Sequence, residues 1–254
     1  MAVNTYLPPE TVPRFNKETA AFFLKKAKKD RADVELARFC ISKALFFAKA
    51  EEHIRLTADW IMNDKIVIED EEVDIELQPA QKYDILKVYW AHTAFSLDEK
   101  KALRDKALDG DNSDNSKNVI KVLDWSLPDA ALKERLWSEI LDDQSGASLM
   151  ENRLKVQGFW QRSLQPELLA PYFEMYYATI KRVIDTRDRE FAEIFMNGMS
   201  PAFNAREQDE SAFNELLGRC TDDTHFFTIF LKKQVDMIEV IKKSRHLCET
   251  FRID

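Results

Sequence analysis

The chain has 254 residues, enough for one large domain or two small ones. A chain of this size can bury roughly 75% of its unfolded surface, so a substantial core is within reach. The net charge of −8 and a pI near 5.2 supply no general attraction to nucleic acid or to an anionic membrane.

Residues 1–15 read as an irregular segment, with Pro8, Pro9 and Pro13. The first 13 residues hold no Lys or Arg and do not resemble a signal peptide. A first helix is expected to begin near Asn16, which suits an N-cap, with Glu18 at the positive end of the dipole. Phe22, Phe23 and Leu24 give it apolar surface. Its Lys25, Lys26, Lys28 and Lys29 read as a solvated face. A second helix is expected over 32–48, with Leu36, Phe39, Cys40, Ala44 and Phe47 on one face. A third spans 51–63, with Ile54, Ala58 and Ile61 in step.

The stretch 65–77 departs from this pattern. IVIEDEEVDIEL is β-branched and alternating, which predicts a small extended excursion or hairpin with a solvated acidic turn. Helix resumes over 78–95, where Ile85, Val88, Tyr89 and His92 share a stripe, and again over 98–108. The polar run DGDNSDNS, 109–116, has the flavour of a calcium loop. Its sixth position is Asp114 rather than Gly and its twelfth is Ile120 rather than Glu, so it reads as a connector. Lys117 to Trp125 is helical.

From Leu127 to Pro201 three amphipathic helices follow. Pro128 and Asp129 open the first, which carries Leu132, Leu136 and Ile140 at i, i+4, i+8. Pro166-Glu167 starts the next, with Leu168, Leu169, Tyr172, Phe173 and Tyr176. Phe191, Ile194 and Phe195 mark the third, which Gly198 and Pro201 are expected to close. A helix over NAREQDESAFNELLGRC follows, and Thr221 or Asp222 is expected to cap a long last one. That helix has Phe227, Leu231, Ile238 and Ile241 inward and Lys242, Lys243, Arg245 and His246 near its negative end.

Gly is scarce, with 5 residues, which favours long helices over tight turns. Helices in series with short connections pack as antiparallel pairs, and about a dozen of them suggest stacked hairpins. No fixed-period sequence repeat is found. The expected fold is therefore all-α: a curved antiparallel helical array of HEAT-like or armadillo-like type, with one small extended insertion near 65–77. Residues 16–254 are expected to form a single helical-repeat domain.

The segments LPDAALKERLW, GFWQ, ELLAPYFEMYY and EIFMNGMSP, in this order and spacing, resemble the C-terminal helical domain of zinc aminopeptidases of the aminopeptidase N family. The likeness runs from about Phe22 to about Arg245. Its landmarks are apolar residues with Pro and Gly, not catalytic groups. The resemblance implies a curved helical domain that shapes and closes the peptide cavity of a catalytic domain. That family holds its catalytic zinc with H-E-x-x-H. The four histidines here, His53, His92, His225 and His246, are not followed by Glu, and no two are four apart. No cofactor is expected in this chain, and zinc only in a separate catalytic domain. Met150-Glu151-Asn152 matches the end of the family's amine-binding G-A-M-E-N motif, but Ser148 and Leu149 replace its Gly and Ala, and the run leads into a helix.

His92, on an apolar stripe, reads as a core or boundary residue, and no G-x-S-x-G nucleophile motif occurs. The three cysteines, Cys40, Cys220 and Cys248, have no C-x-x-C pair and read as reduced thiols, so a cytoplasmic or organellar setting is expected. The longest apolar runs are about five residues, such as Ala44 to Ala48, too short to span a membrane. Trp160, Tyr172, Tyr176 and Tyr177 stand near Arg153, Arg162, Lys181 and Arg182. Of these, Arg153, Trp160, Arg162, Tyr172 and Tyr176 are the candidate contacts for a peptide carboxylate or a partner protein. The expected partners are an aminopeptidase catalytic domain or another protein, and not nucleic acid. The alternative role is that of a standalone structural or interaction subunit derived from such a domain.

Overall fold

The computed structural model describes residues 5–251. Among them the chain is an all-α array of twelve α-helices with one two-stranded sheet. The order is α1 (Val12–Lys29), α2 (Val34–Phe47), α3 (Glu51–Asn63), β1 (Ile66–Ile68), β2 (Glu71–Val73), α4 (Pro79–Ala91), α5 (Leu97–Ala107) and α6 (Asp114–Ser126). There follow α7 (Ala130–Leu141), α8 (Leu149–Phe159), α9 (Pro166–Thr186), α10 (Arg189–Met199), α11 (Glu207–Gly218) and α12 (Phe226–Phe251). The helices gather into two compact units. The first comprises Pro13–Ile140 and Gln157–Leu168; the second comprises the residues up to Val12, Leu141–Val156 and the chain from Leu169 onward.

In the first unit several helices start where a short polar side chain satisfies an orphan backbone N–H. Asp33 accepts from the Leu36 amide at 3.1 Å, and Asp129 from the Leu132 amide at 2.6 Å. Ser96 and Glu99 form a reciprocal capping box. The helices bury one face each: Ile41, Ile54, Trp60, Ile61, Ile85, Leu86, Trp90, Leu103 and Leu123 meet in one core. Helix α4 packs against α3, α5 and α6.

The extended insertion is a hairpin in which Ile66 faces Val73 and Ile68 faces Glu71. Its turn residues Glu69 and Asp70 have φ of 49° and 63°, the two left-handed positions that a twist-matched two-residue turn requires. Ile66, Ile68 and Val73 point into the core, and the Trp60 indole donates to the Val67 carbonyl at 2.9 Å. The acidic tip meets the end of α1, with Lys28 at 2.9 Å and Arg31 at 2.8 Å from Glu71.

The second unit centres on an aromatic cluster. Tyr176 stacks on Phe195 with centroids 5.4 Å apart, and Phe213 meets both Tyr176 and Tyr177 edge-on. Phe227, Leu231, Ile238 and Ile241 of α12 are buried, as their spacing predicts. The Arg245 guanidinium donates to the carbonyls of Thr5, Leu7, Phe203 and Asn204.

Several expectations are corrected. The first helix begins at Val12, so 1–15 is not irregular throughout: Pro13 fits the first turn, and Asn16 is a buried helical residue rather than a cap. Phe39 points to solvent, and the inward face of α2 is Ala37, Cys40, Ile41, Ala44 and Leu45. Helix α4 ends at Ala91, and Phe95 folds back to stack on Tyr89 at 3.8 Å. Helix α6 starts inside the polar run, because Ser113 caps it through the Ser116 amide at 3.1 Å. Gly198 does not close α10. It lies within the helix, where a Cβ would collide with the Val156 side chain.

Candidate functional site

A helix leaves its last carbonyls without intrahelical donors. In the first unit three such ends are served by side chains from other elements. Lys100 Nζ donates to the His92 carbonyl, just past α4, at 2.9 Å. Lys133 Nζ donates to Trp125 near the end of α6 at 3.3 Å, and to Gly158 and Phe159 at the end of α8 at 3.2 and 3.0 Å. The Gln165 amide nitrogen bridges the Ala91 and Ser126 carbonyls at 2.6 and 2.7 Å. Lys100 and Lys133 are built alike. Each lies four residues beyond its helix cap, Ser96 or Asp129, and each reaches back eight residues to the preceding helix. The geometry thus repeats from one helical hairpin to the next although the sequences do not.

Lys133 has 0% exposure and no carboxylate partner among the described residues; burial pushes its pKa down to about 7. Lys100, also buried, is pushed down to about 8. The carbonyl ends of the helices carry partial negative charge, which favours the cationic form. The ring of Phe159 adds a further contact, with Lys133 Nζ 5.5 Å from its centroid. The ends can meet this closely because Gly158 has no side chain: a Cβ there would stand 2.6 Å from the Trp125 Cβ.

This knot anchors the segment between α8 and α9, which carries two candidate residues. Trp160 is half-buried and stacks on Phe159 at 5.9 Å. Gln161 donates to the Gln157 carbonyl at 2.7 Å, and its own carbonyl accepts from the Leu164 and Gln165 amides. Arg162, held on the same segment, is half-buried, and burial lowers its pKa.

The other three candidates belong to the second unit. Arg153 is exposed on α8. Tyr172 and Tyr176 share the inward face of α9 and are buried, Tyr176 at 0% exposure with its hydroxyl donating to the Met196 carbonyl at 3.3 Å. Tyr176 is thus a core residue whose phenol burial holds far from ionisation. Beside it Tyr177 donates to the buried Asp209 at 2.8 Å, and Arg206 grips the same carboxylate with Nε at 2.9 Å and a terminal nitrogen at 2.5 Å. Burial and the Asp209 charge both raise the Tyr177 pKa. Lys181 pairs with Asp185 one turn on.

His92 Nδ1 accepts from the Ala94 amide at 3.1 Å, and burial lowers its pKa, as suits a boundary histidine. Met150-Glu151-Asn152 lies in the first turn of α8, with Asn152 buried and donating to the Ala147 carbonyl, not on an extended edge. Among the described residues no group of three or more His, Cys, Asp or Glu side chains is placed to hold a metal ion. No described helix is long and apolar enough to cross a membrane. Compared with known proteins, the chain matches no family model and no curated protein.

Sequence reasoning missed Lys133, Gln165 and the close approach at Gly158. A signal for the first existed: a lysine four residues after a helix cap occurs at both Ser96 and Asp129. Nothing in the sequence singles out Gln165, whose partners lie 74 and 39 residues away.

Proposed function

We propose that the chain serves as the helical C-terminal domain of an aminopeptidase N-type zinc enzyme, non-catalytic in itself and closing the peptide cavity of a separate catalytic domain. The observation that supports this is the role of the landmarks carrying the resemblance. Asp129 caps α7, Gly158 and Gly198 sit where only a glycine fits, and Leu136, Phe173 and Phe195 are buried. The resemblance thus rests on positions that govern helix packing. In this reading Arg153, Trp160 and Arg162 are the contacts to a partner or to the far end of a peptide, since a guanidinium fork suits a carboxylate. Tyr172 and Tyr176, both buried, hold α9 in the core of the second unit. The free cysteines suit a reducing compartment, the cytoplasm or an organelle.

The test adds the chain to an aminopeptidase N-type catalytic domain prepared without its own helical domain. The expected result is a stoichiometric complex with raised kcat/KM on peptides. The Arg153→Ala/Arg162→Ala double variant should weaken that complex while its helical signal and unfolding midpoint stay near wild type. Failure to associate would overturn the reading. Recovery of a native complex containing no metallopeptidase would favour a free-standing interaction subunit.

A further inference from the structure

We infer that the outer face of the α1–α2 hairpin is a docking groove for an acidic amphipathic helix of another protein. Helices normally bury their aromatic stripe, yet here Phe22 is 60% exposed, Phe39 53% and Phe46 50%. Phe22 and Phe46 are not scattered. Phe22 packs edge-on against Phe23 at 5.3 Å, Phe23 stacks on Phe47 at 6.3 Å, and Phe47 meets Phe46 at 5.0 Å and Phe15 at 5.8 Å. One continuous chain of rings therefore crosses from α1 to α2, with half-exposed rings at both ends. Along each helix the rings recur at i and i+7, Phe15 with Phe22 and Phe39 with Phe46. That is the spacing at which two helices line a groove for a third.

Charge selects the occupant. The chain as a whole carries −8, but on this face the ion pairs leave two lysines, Lys29 and Lys43, against one carboxylate, Glu18. Glu35 is engaged by Arg38 at 3.0 Å and Lys26 by Asp30 at 2.5 Å, while Lys25 stands 3.7 Å from Glu69. Lys29 and Lys43 have no carboxylate partner among the described residues, and Lys43 Nζ lies 5.1 Å from the Phe39 ring centroid. A second copy would bring the same lysines against these, a like-charge arrangement, so the complementary partner is an acidic helix with an apolar stripe. This surface shares no residue with Arg153, Trp160 and Arg162, and the inference does not depend on the family reading.

The probe is a fluorescein-labelled designed helical peptide with Leu at i, i+3 and i+7 and Glu on its flanks, compared with a peptide carrying Lys in place of Glu. Fluorescence anisotropy with the full chain should show the Glu peptide binding at least about tenfold tighter. Phe22→Ser/Phe46→Ser should abolish binding with an unchanged helical spectrum, as both positions are exposed. Lys29→Glu/Lys43→Glu should reverse the preference towards the Lys peptide. Equal binding of both peptides, no binding at millimolar peptide, or binding indifferent to these substitutions would overturn the proposal. So would flotation with phosphatidylserine vesicles in place of peptide binding, which would assign the face to a membrane, or concentration-dependent dimerisation lost in the Phe22/Phe46 variant.

Discussion

At the residue scale the controlling physics is desolvation. Lys133 is taken wholly out of water and compensated by three carbonyls and a ring face instead of a carboxylate. Its folded pKa of about 7 lies below the unfolded value of 10.5, so between these values the unfolded chain binds more protons than the folded one. This group therefore makes the protein more stable as pH rises from about 7 to 10.5, and its cost is fully present below pH 7. Between pH 7 and pH 10 the gain should be on the order of 3 kcal/mol. Urea unfolding of the wild type and of Lys133→Met at both pH values measures it, since the difference between the two proteins should shift by that amount. A difference independent of pH would show that Lys133 keeps its proton throughout. Lys100 should add a smaller slope of the same sign between about 8 and 10.5.

At the element scale two positions depend on backbone geometry. A helical Gly→Ala change normally stabilises by about 1 kcal/mol through propensity. At Gly158 the new methyl would meet the Trp125 side chain and the Val122 carbonyl, so α8 would have to move away from α6. Gly158→Ala should instead destabilise by about 1–3 kcal/mol, seen as a lower unfolding midpoint. The hairpin turn offers the converse. Asp70 holds a φ of 63° that glycine adopts without strain. Asp70→Gly should raise the midpoint by an amount equivalent to about 0.5–1 kcal/mol, because a twist-matched turn favours glycine at this position. A lower midpoint would mean that the Asp70 carboxylate contributes more than the strain costs.

At the scale of the whole molecule the chain distributes its core between two compact units. The isolated chain should give a strongly helical circular dichroism spectrum and should not hydrolyse amino-acid anilides in added zinc. Metal-dependent turnover that a chelator abolishes would contradict the proposal that catalysis belongs to a separate domain. The repeated Lys100 and Lys133 geometry gives the array a structural period that composition hides. What recurs is a helix cap, a cation and a served helix end, and side chains elsewhere are free to vary.

The sequence by itself determined the local structure. Apolar spacing located α2 to α7 and α9 to α12 within a few residues, alternation located the hairpin, and Pro128-Asp129 and Pro166 marked two of the starts, because these signals act within one or two turns of chain. It also determined that H-E-x-x-H is missing. Only the tertiary structure decided which face of an ambiguous helix turns inward. On α2 the small residues Ala37 and Ala44 are buried and the larger Phe39 is left in water, since close helix contact there favours small side chains. It likewise turned Tyr176 from a candidate contact into a core residue, and Gly198 from a stop signal into a close-packing position. Lys133 and Gln165 became anchors only when helix ends distant in sequence converged, and a buried carbonyl's need for a donor leaves no mark on the sequence that supplies it.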